Sequence, residues 1–147
     1  GMMGGQVVDV ELTGKKIPED VLRFIFELKT GALIEASMMI GAVLAGADDR
    51  QVSLTERAAH DLGLAFQIRD DLLDIVGSEK ELGKPLHSDE KNDKTTWVSL
   101  YGMDKAVSDV KAYTESALRT LSKIKDAEDI SGLFLYKLFV SLTDRNH

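Results

Sequence analysis

Phe66-Gln67-Ile68-Arg69-Asp70-Asp71-Leu72-Leu73-Asp74 places three carboxylates within five positions, in a stretch whose apolar residues recur at helical spacing. On a helix Asp70 and Asp74 lie one turn apart on a shared face, and Asp71 sits about 100° round from Asp70. Like charges at this spacing cost about 0.2–0.5 kcal/mol on an exposed helix. No lysine or arginine lies four residues away to offset that cost. Taken alone, the pattern describes a solvated acidic face. Its neighbours add more: Gln67, one turn before Asp70, and Gly63, one turn earlier, continue the same face with an amide and then open space. Oxygen-only donors on one face suit Mg2+, which keeps waters and shares the phosphates of a substrate.

Working outward, the periodicity predicts a helix over 53–76, with Leu54, Ala58, Leu62, Ala65, Phe66, Leu72 and Leu73 at core positions. Upstream, a short helix should end at Gly14, and Pro18 opens the first turn of another, followed by Glu19 and Asp20 at its positive end. Val21, Leu22, Ile25, Phe26 and Leu28 form its apolar face, which continues through 32–45 to a stop at Gly46. Gly31, beside Lys29 and Thr30, predicts a kink or a close backbone approach. Asp48 and Asp49 read as a helix-capping pair. Downstream, 77–93 is polar and holds Gly83 and Pro85, as a loop or lid would. Asp93 should cap a short helix through Leu100, ended by Gly102. A helix over 104–125 buries Val107, Val110, Tyr113, Ala117, Leu121 and Ile124, and a last helix spans 130–142. Strand-like alternation is scarce and no linker divides the chain. The fold class is all-α, in a single unit over 1–147.

Composition sets the outer bounds. The chain has 147 residues, of which 44% are hydrophobic and 29% charged, as in a folded globular domain. A net charge of −7 excludes a general nucleic-acid binder, which needs a basic footprint. Cysteine is absent, so disulfides and thiolate zinc sites are excluded and nothing points to secretion; the reading is cytoplasmic. No apolar run reaches the roughly 18 residues of a membrane span, so no stable membrane insertion is expected. A polyanionic substrate would need local lysines or bridging metal ions. Lys29 lies in an otherwise apolar helix, where snorkelling is the plain alternative, and Lys84 and Lys94 flank the polar segment. Acidic metal ligands together with separated lysines describe a diphosphate site. His60, His87 and His147 have no metal-ligand spacing and receive no role.

Four motifs now stand in order: Gly1-Met2-Met3-Gly4-Gly5-Gln6-Val7-Val8-Asp9, Lys29-Thr30-Gly31-Ala32-Leu33, the Phe66–Asp74 stretch, and Gly83-Lys84 with Ser88-Asp89 and Lys94-Thr95-Thr96. They resemble consecutive motifs of the trans-isoprenyl diphosphate synthases (polyprenyl synthetases), most closely the bacterial farnesyl diphosphate synthases, over essentially the whole chain. The resemblance implies the C-terminal half of the isoprenoid synthase helical bundle. It implies a Mg2+-dependent prenyltransferase: an allylic diphosphate (dimethylallyl or geranyl) ionises, isopentenyl diphosphate attacks the cation, and a proton passes to the released diphosphate. Farnesyl diphosphate is the expected product. Asp70 matches the leading metal-ligating aspartate, and Asp71 and Asp74 its supporting partners. Lys29 and Lys84 match lysines that grip the allylic diphosphate, with Lys94 another basic residue at the mouth. Thr30 and Gln67 match groups near the developing cation. Gln6 and Asp9 match polar cavity residues, Asp9 facing metals and lysines. Gly4 and Gly5 are read as small residues that permit close helix packing. The intact protein is expected to be a homodimer.

The family's first aspartate-rich motif and the arginine-rich segment after it are absent, since Asp48-Asp49 has no third aspartate in register. The chain is therefore read as starting inside the fold, as a truncated chain, a proteolytic product or a gene fragment. Alone it is expected to be inactive, because one metal-binding wall cannot neutralise the diphosphate, and to self-associate through apolar faces left uncovered. Competing expectations are a non-catalytic subunit of a heteromeric prenyl synthase and an acidic helical module that binds divalent cations. A class I terpene cyclase fits the glycine, lysine and GKxxxSD elements less well.

Overall fold

A computed structural model describes residues 1–82, 95–125 and 130–144 of the chain, and every described element is helical. α1 (Met2–Glu11) ends in a turn through Gly14, whose φ of 76° lies in the left-handed region that favours glycine. Pro18 is the N-cap of α2 (Glu19–Phe26), one position before the predicted first turn, with extended backbone that a proline ring accepts. α2 runs without a break through a π-helical turn (Glu27–Gly31) into α3 (Ala32–Leu44). The kink predicted at Gly31 therefore takes a defined form: the Ala32 N–H reaches back five residues to the Glu27 carbonyl, and one extra residue is held in the turn.

α4 (Asp49–Leu82) is the 34-residue axis of the molecule, about 50 Å long at 1.5 Å per residue. Asp48 caps it as predicted, its Oδ1 accepting from the Gln51 N–H at 2.8 Å while its own N–H donates to Gln51 Oε1 at 3.0 Å. The helix outruns the predicted end at 76 and takes in 77–82, because Glu79, Lys80, Glu81 and Leu82 favour helix by more than Gly77 disfavours it. α5 (Trp97–Tyr101) is capped by Thr96 rather than Asp93. Thr96 Oγ1 accepts from the Ser99 N–H, and Ser99 Oγ accepts from the Thr96 N–H. Gly102, at φ 83°, ends it as expected. α6 (Met103–Lys125) and α7 (Phe134–Thr143) complete the bundle. The last helix starts four residues later than predicted, after a turn in which the Leu133 N–H donates to the Ile130 carbonyl.

α4 packs on α6 along one side and on α3 and the π-turn along another. Two clusters form the core. One gathers Leu22, Phe26, Leu64, Ile68, Leu72, Trp97, Ala106 and Val110; the other gathers Ala58, Leu62, Ala117 and Phe139. Val107, predicted inside, is 52% exposed. α6 is rolled so that Asp109 faces inward to Trp97, which turns Val107 outward. α3 has no buried residue, although it is the most apolar helix. Leu33, Ile40, Val43 and Leu44 on it, with Met3, Val7 and Val10 on α1, are all more than half exposed. No described helix is long and apolar enough to cross a membrane. Faces of this kind associate in water. Light scattering on the concentrated chain is expected to give a mass above the 16.2 kDa monomer, and replacing Ile40 and Val43 by lysine should lower it.

Candidate functional site

Two glycines set the site. A Cβ on Gly63 would lie 3.0 Å from the Gly31 Cα, so α4 crosses the π-turn with no side chain between the backbones. Gly63, Gln67, Asp70 and Asp74 lie within about 60° of one another around a helix of 3.6 residues per turn. The crossing therefore turns the predicted stripe toward the side of the molecule that carries Lys29 and Thr30. Along α4, Gln67 lies about 6 Å and Asp70 about 10 Å beyond the crossing.

A second glycine contact brings α1 to the same turn. A Cβ on Gly5 would lie 2.5 Å from the Lys29 backbone nitrogen, and Gly5 is buried, as predicted for close packing. Gly4 has open space instead and takes no part in that contact. One turn after Gly5, Asp9 Oδ2 accepts from Lys29 Nζ at 2.6 Å, the carboxylate 12% and the lysine 33% exposed. Asp9 thus faces the lysine, as expected, and holds the ammonium across two elements. Gln6 is exposed, and Thr30 and Gln67 are half-buried. Lys84 and Lys94 lie outside the described residues, as do Ser88, Asp89 and Asp93.

The three aspartates divide. Asp74 is exposed, and Asp70 and Asp71 are half-buried. Asp71 Oδ2 accepts from the Trp97 N–H at 2.7 Å. Among the described residues, no three or more histidines, aspartates and glutamates converge to hold a metal ion. Asp70 and Asp74, oxygen donors on one helix face, are of the chemical type that Mg2+ takes.

Trp97, 2% exposed, is the hub that sequence reasoning missed. Its ring stacks on Phe26 at 6.2 Å and tilts against Tyr101 at 4.9 Å, with the Arg23 guanidinium 4.8 Å above it. Its Nε1–H donates to Asp109 Oδ2 at 2.9 Å, and Asp109 also pairs with Lys105. Arg23 in turn pairs with Glu19 at 2.8 Å and donates to the Tyr113 hydroxyl at 3.2 Å. A hydrogen bond from Tyr101, then one from Arg23, holds the Glu19 carboxyl below its usual value of 4.5. The bond to Glu19 pushes the Tyr101 phenol up, and the same carboxylate raises the Arg23 guanidinium. The one signal in the sequence was Thr96-Trp97-Val98-Ser99, a capping-box spacing that fixes where Trp97 begins its helix.

A cavity of about 490 Å³ lies elsewhere. Glu35, Glu56, Arg57, His60, Asp61, Ser116 and Thr120 line it, and none of these is a predicted site residue. His60, given no role from sequence, has its Nδ1 3.0 Å from Glu35 Oε1 and joins α4 to α3.

The sequence profile of the polyprenyl synthetase family matches residues 1–134. The chain is 40% identical to a farnesyl diphosphate synthase of Geobacillus stearothermophilus, over all of this chain and 48% of that one. It is 41% identical to a geranylgeranyl diphosphate synthase of Cyanophora paradoxa, over 80% of this chain and 39% of that one. Its fold superposes on a candidate farnesyl-diphosphate synthase from a Marinomonas species with a TM-score of 0.79 and 31% identity, covering 98% of this chain and 47% of that one. A Helicobacter pylori geranyltransferase, solved in complex with magnesium and isoprenyl diphosphate, aligns with a TM-score of 0.69 and 28% identity, covering 98% and 45%. The chain spans about half the length of the curated relatives it matches.

Two outcomes check this geometry. Gly5→Ala should destabilise the chain by about 1–3 kcal/mol, as overpacking does, while Gly4→Ala should be neutral or stabilising by up to about 1 kcal/mol, as alanine is over glycine in a helix. Urea denaturation reads both. Because its folded pKa is depressed, Glu19 contributes stability above pH 4.5 and loses it as pH falls through the lower folded value. The stability gap between wild type and Glu19→Gln should therefore close on acidification.

Proposed function

We propose, from the premise that this chain belongs to the polyprenyl synthetase family, that it forms one wall of a prenyltransferase site that binds an allylic diphosphate. The observation that supports this reading is the glycine crossing, which packs the turn that carries Lys29 and Thr30 against α4, the helix that carries Gln67, Asp70 and Asp74. Lys29 presents an ammonium to the diphosphate once it leaves Asp9. Lys84 and Lys94 are assigned to the same group on the resemblance of their motifs. Asp70 leads the carboxylates that would hold Mg2+, with Asp71 and Asp74 supporting it. Bound there, Mg2+ would neutralise charge on the leaving diphosphate. Thr30 and Gln67 orient oxygen atoms toward the carbon where positive charge develops, while Gln6 and Asp9 keep the cavity wall polar.

The reaction so assigned is the condensation of isopentenyl diphosphate with a dimethylallyl or geranyl diphosphate. The allylic C–O bond breaks with its electron pair leaving on diphosphate, the isopentenyl double bond supplies the new C–C bond, and diphosphate accepts the proton. A short-chain product, farnesyl diphosphate, is the assignment favoured by similarity, in a cytoplasmic homodimer of the whole protein. The exposed faces of α1 and α3 support an assembly that covers them. A second reading, a non-catalytic subunit of a heteromeric synthase, would keep the fold without needing Lys29, Lys84 and all three aspartates, and their presence in the sequence weighs against it.

Titration calorimetry with inorganic diphosphate separates the two. Binding is expected only when Mg2+ is present. Lys29→Ala and Asp70→Asn should each weaken it roughly tenfold to a hundredfold, the loss of about 1.5–3 kcal/mol for one charged hydrogen bond. The chain alone, given Mg2+ and both prenyl substrates, is expected to form no product; turnover typical of a synthase would refute that.

A further inference from the structure

Asp71 differs from Asp70 and Asp74 in direction. It lies about 80° around α4 from Gly63, outside the stripe that holds Gln67, Asp70 and Asp74. Its Oδ2 receives the Trp97 N–H at 2.7 Å. Trp97 cannot follow if that carboxylate swings away, because it is fixed from two other helices and from within its own. Arg23 and Phe26 of α2 cover its ring, Tyr101 closes the end of α5, and Asp109 of α6 holds its indole nitrogen. The entry to α5 is pinned as well: the buried Thr95 accepts the Ile17 N–H on its Oγ1 at 2.9 Å. Releasing Asp71 would break a charge-assisted hydrogen bond and strand a part-buried N–H, a larger loss than breaking a neutral bond in water.

We propose that Asp71 is a positioning residue rather than a metal ligand: by holding the Trp97 N–H it locks the rotation of α4, so that Asp70 and Asp74 face the Lys29–Thr30 turn. This rests on the diphosphate reading above and deepens it. It gives the supporting role of Asp71 a physical form, distinct from that of Asp74. It also makes Trp97, the single tryptophan of the chain, a reporter of the acidic wall.

The test uses the 147-residue chain, with tryptophan emission, hydrogen exchange of the Trp97 N–H by NMR, and calorimetry with Mg2+ plus inorganic diphosphate. Asp71→Ala should shift the emission to the red, speed exchange of that N–H, and weaken Mg2+-diphosphate binding by about tenfold or more, as removal of groups that orient metal ligands does. Asp71→Asn keeps an oxygen to accept the N–H, so it should restore the emission, the exchange and most of the binding. Asp70→Asn should do the opposite, keeping wild-type emission while losing binding. The proposal is overturned if Asp71→Ala leaves emission and exchange as in wild type. It is equally overturned if Asp71→Asn loses binding as fully as Asp70→Asn. Should wild type bind no Mg2+-diphosphate, the underlying reading fails instead, and exchange of the Trp97 N–H still decides whether Asp71 anchors α5.

Discussion

The site depends on the contact between Gly31 and Gly63, where two helices cross with only hydrogen atoms between their backbones. A Cβ at Gly63 would require the π-turn to give by a few tenths of an ångström. The turn carries Lys29 and Thr30, and α4 carries Gln67 and Asp70, so the crossing sets the spacing of all four. Gly5 repeats the device from the other side, seating α1 against the Lys29 backbone. That contact brings Asp9 within hydrogen-bond reach of the ammonium. An ammonium and a carboxylate, each partly withdrawn from water, offset one another's desolvation here. The π-turn belongs to the same arrangement. One extra residue widens the helix where it must present a polar pair while staying pressed against its neighbour.

A second assembly, around Trp97, orients the acidic wall. The indole is buried, and both of its N–H groups donate to carboxylates: the main-chain nitrogen to Asp71 on α4, the ring nitrogen to Asp109 on α6. Lys105 supplies positive charge next to Asp109, and the Arg23 guanidinium lies over the ring. The group behaves as one network because four helices meet at a single rigid side chain with few rotamers to lose. The consequence for function is geometric. The acidic stretch of α4 is tied to the start of α5 by a hydrogen bond, and groups held in place need less reorganisation when charge arrives.

Elsewhere the molecule is unfinished on its surface. α3 combines the highest apolar content of any helix with no buried residue, while α4 is covered on two sides. The relatives are about twice as long as this chain. The apolar faces of α1 and α3 are uncovered among the described residues.

The helices and most of their inward faces were legible because the 3.6-residue period is a local property. Gly14, Gly46 and Gly102 were legible as stops because their backbones need a positive φ that few residues adopt. The acidic stretch and Lys29 stood out as candidates because like charges on one helix face, and a lysine in an apolar one, run against local preference. Other features were not. α4 passed its predicted end because helix propensity summed over several residues outweighed one glycine. Val107 turned outward because a partner 12 residues from Asp109, the Trp97 indole, chose the roll of α6. The pairings of Asp9 with Lys29 and of Asp71 with Trp97, across 20 and 26 residues, leave no trace in spacing. By itself, then, the sequence determined which segments are helical and which residue types carry charge on which face. Only the tertiary structure decided which face meets which, because that choice is made by backbones that approach closely at glycine and by hydrogen bonds between elements far apart in the chain.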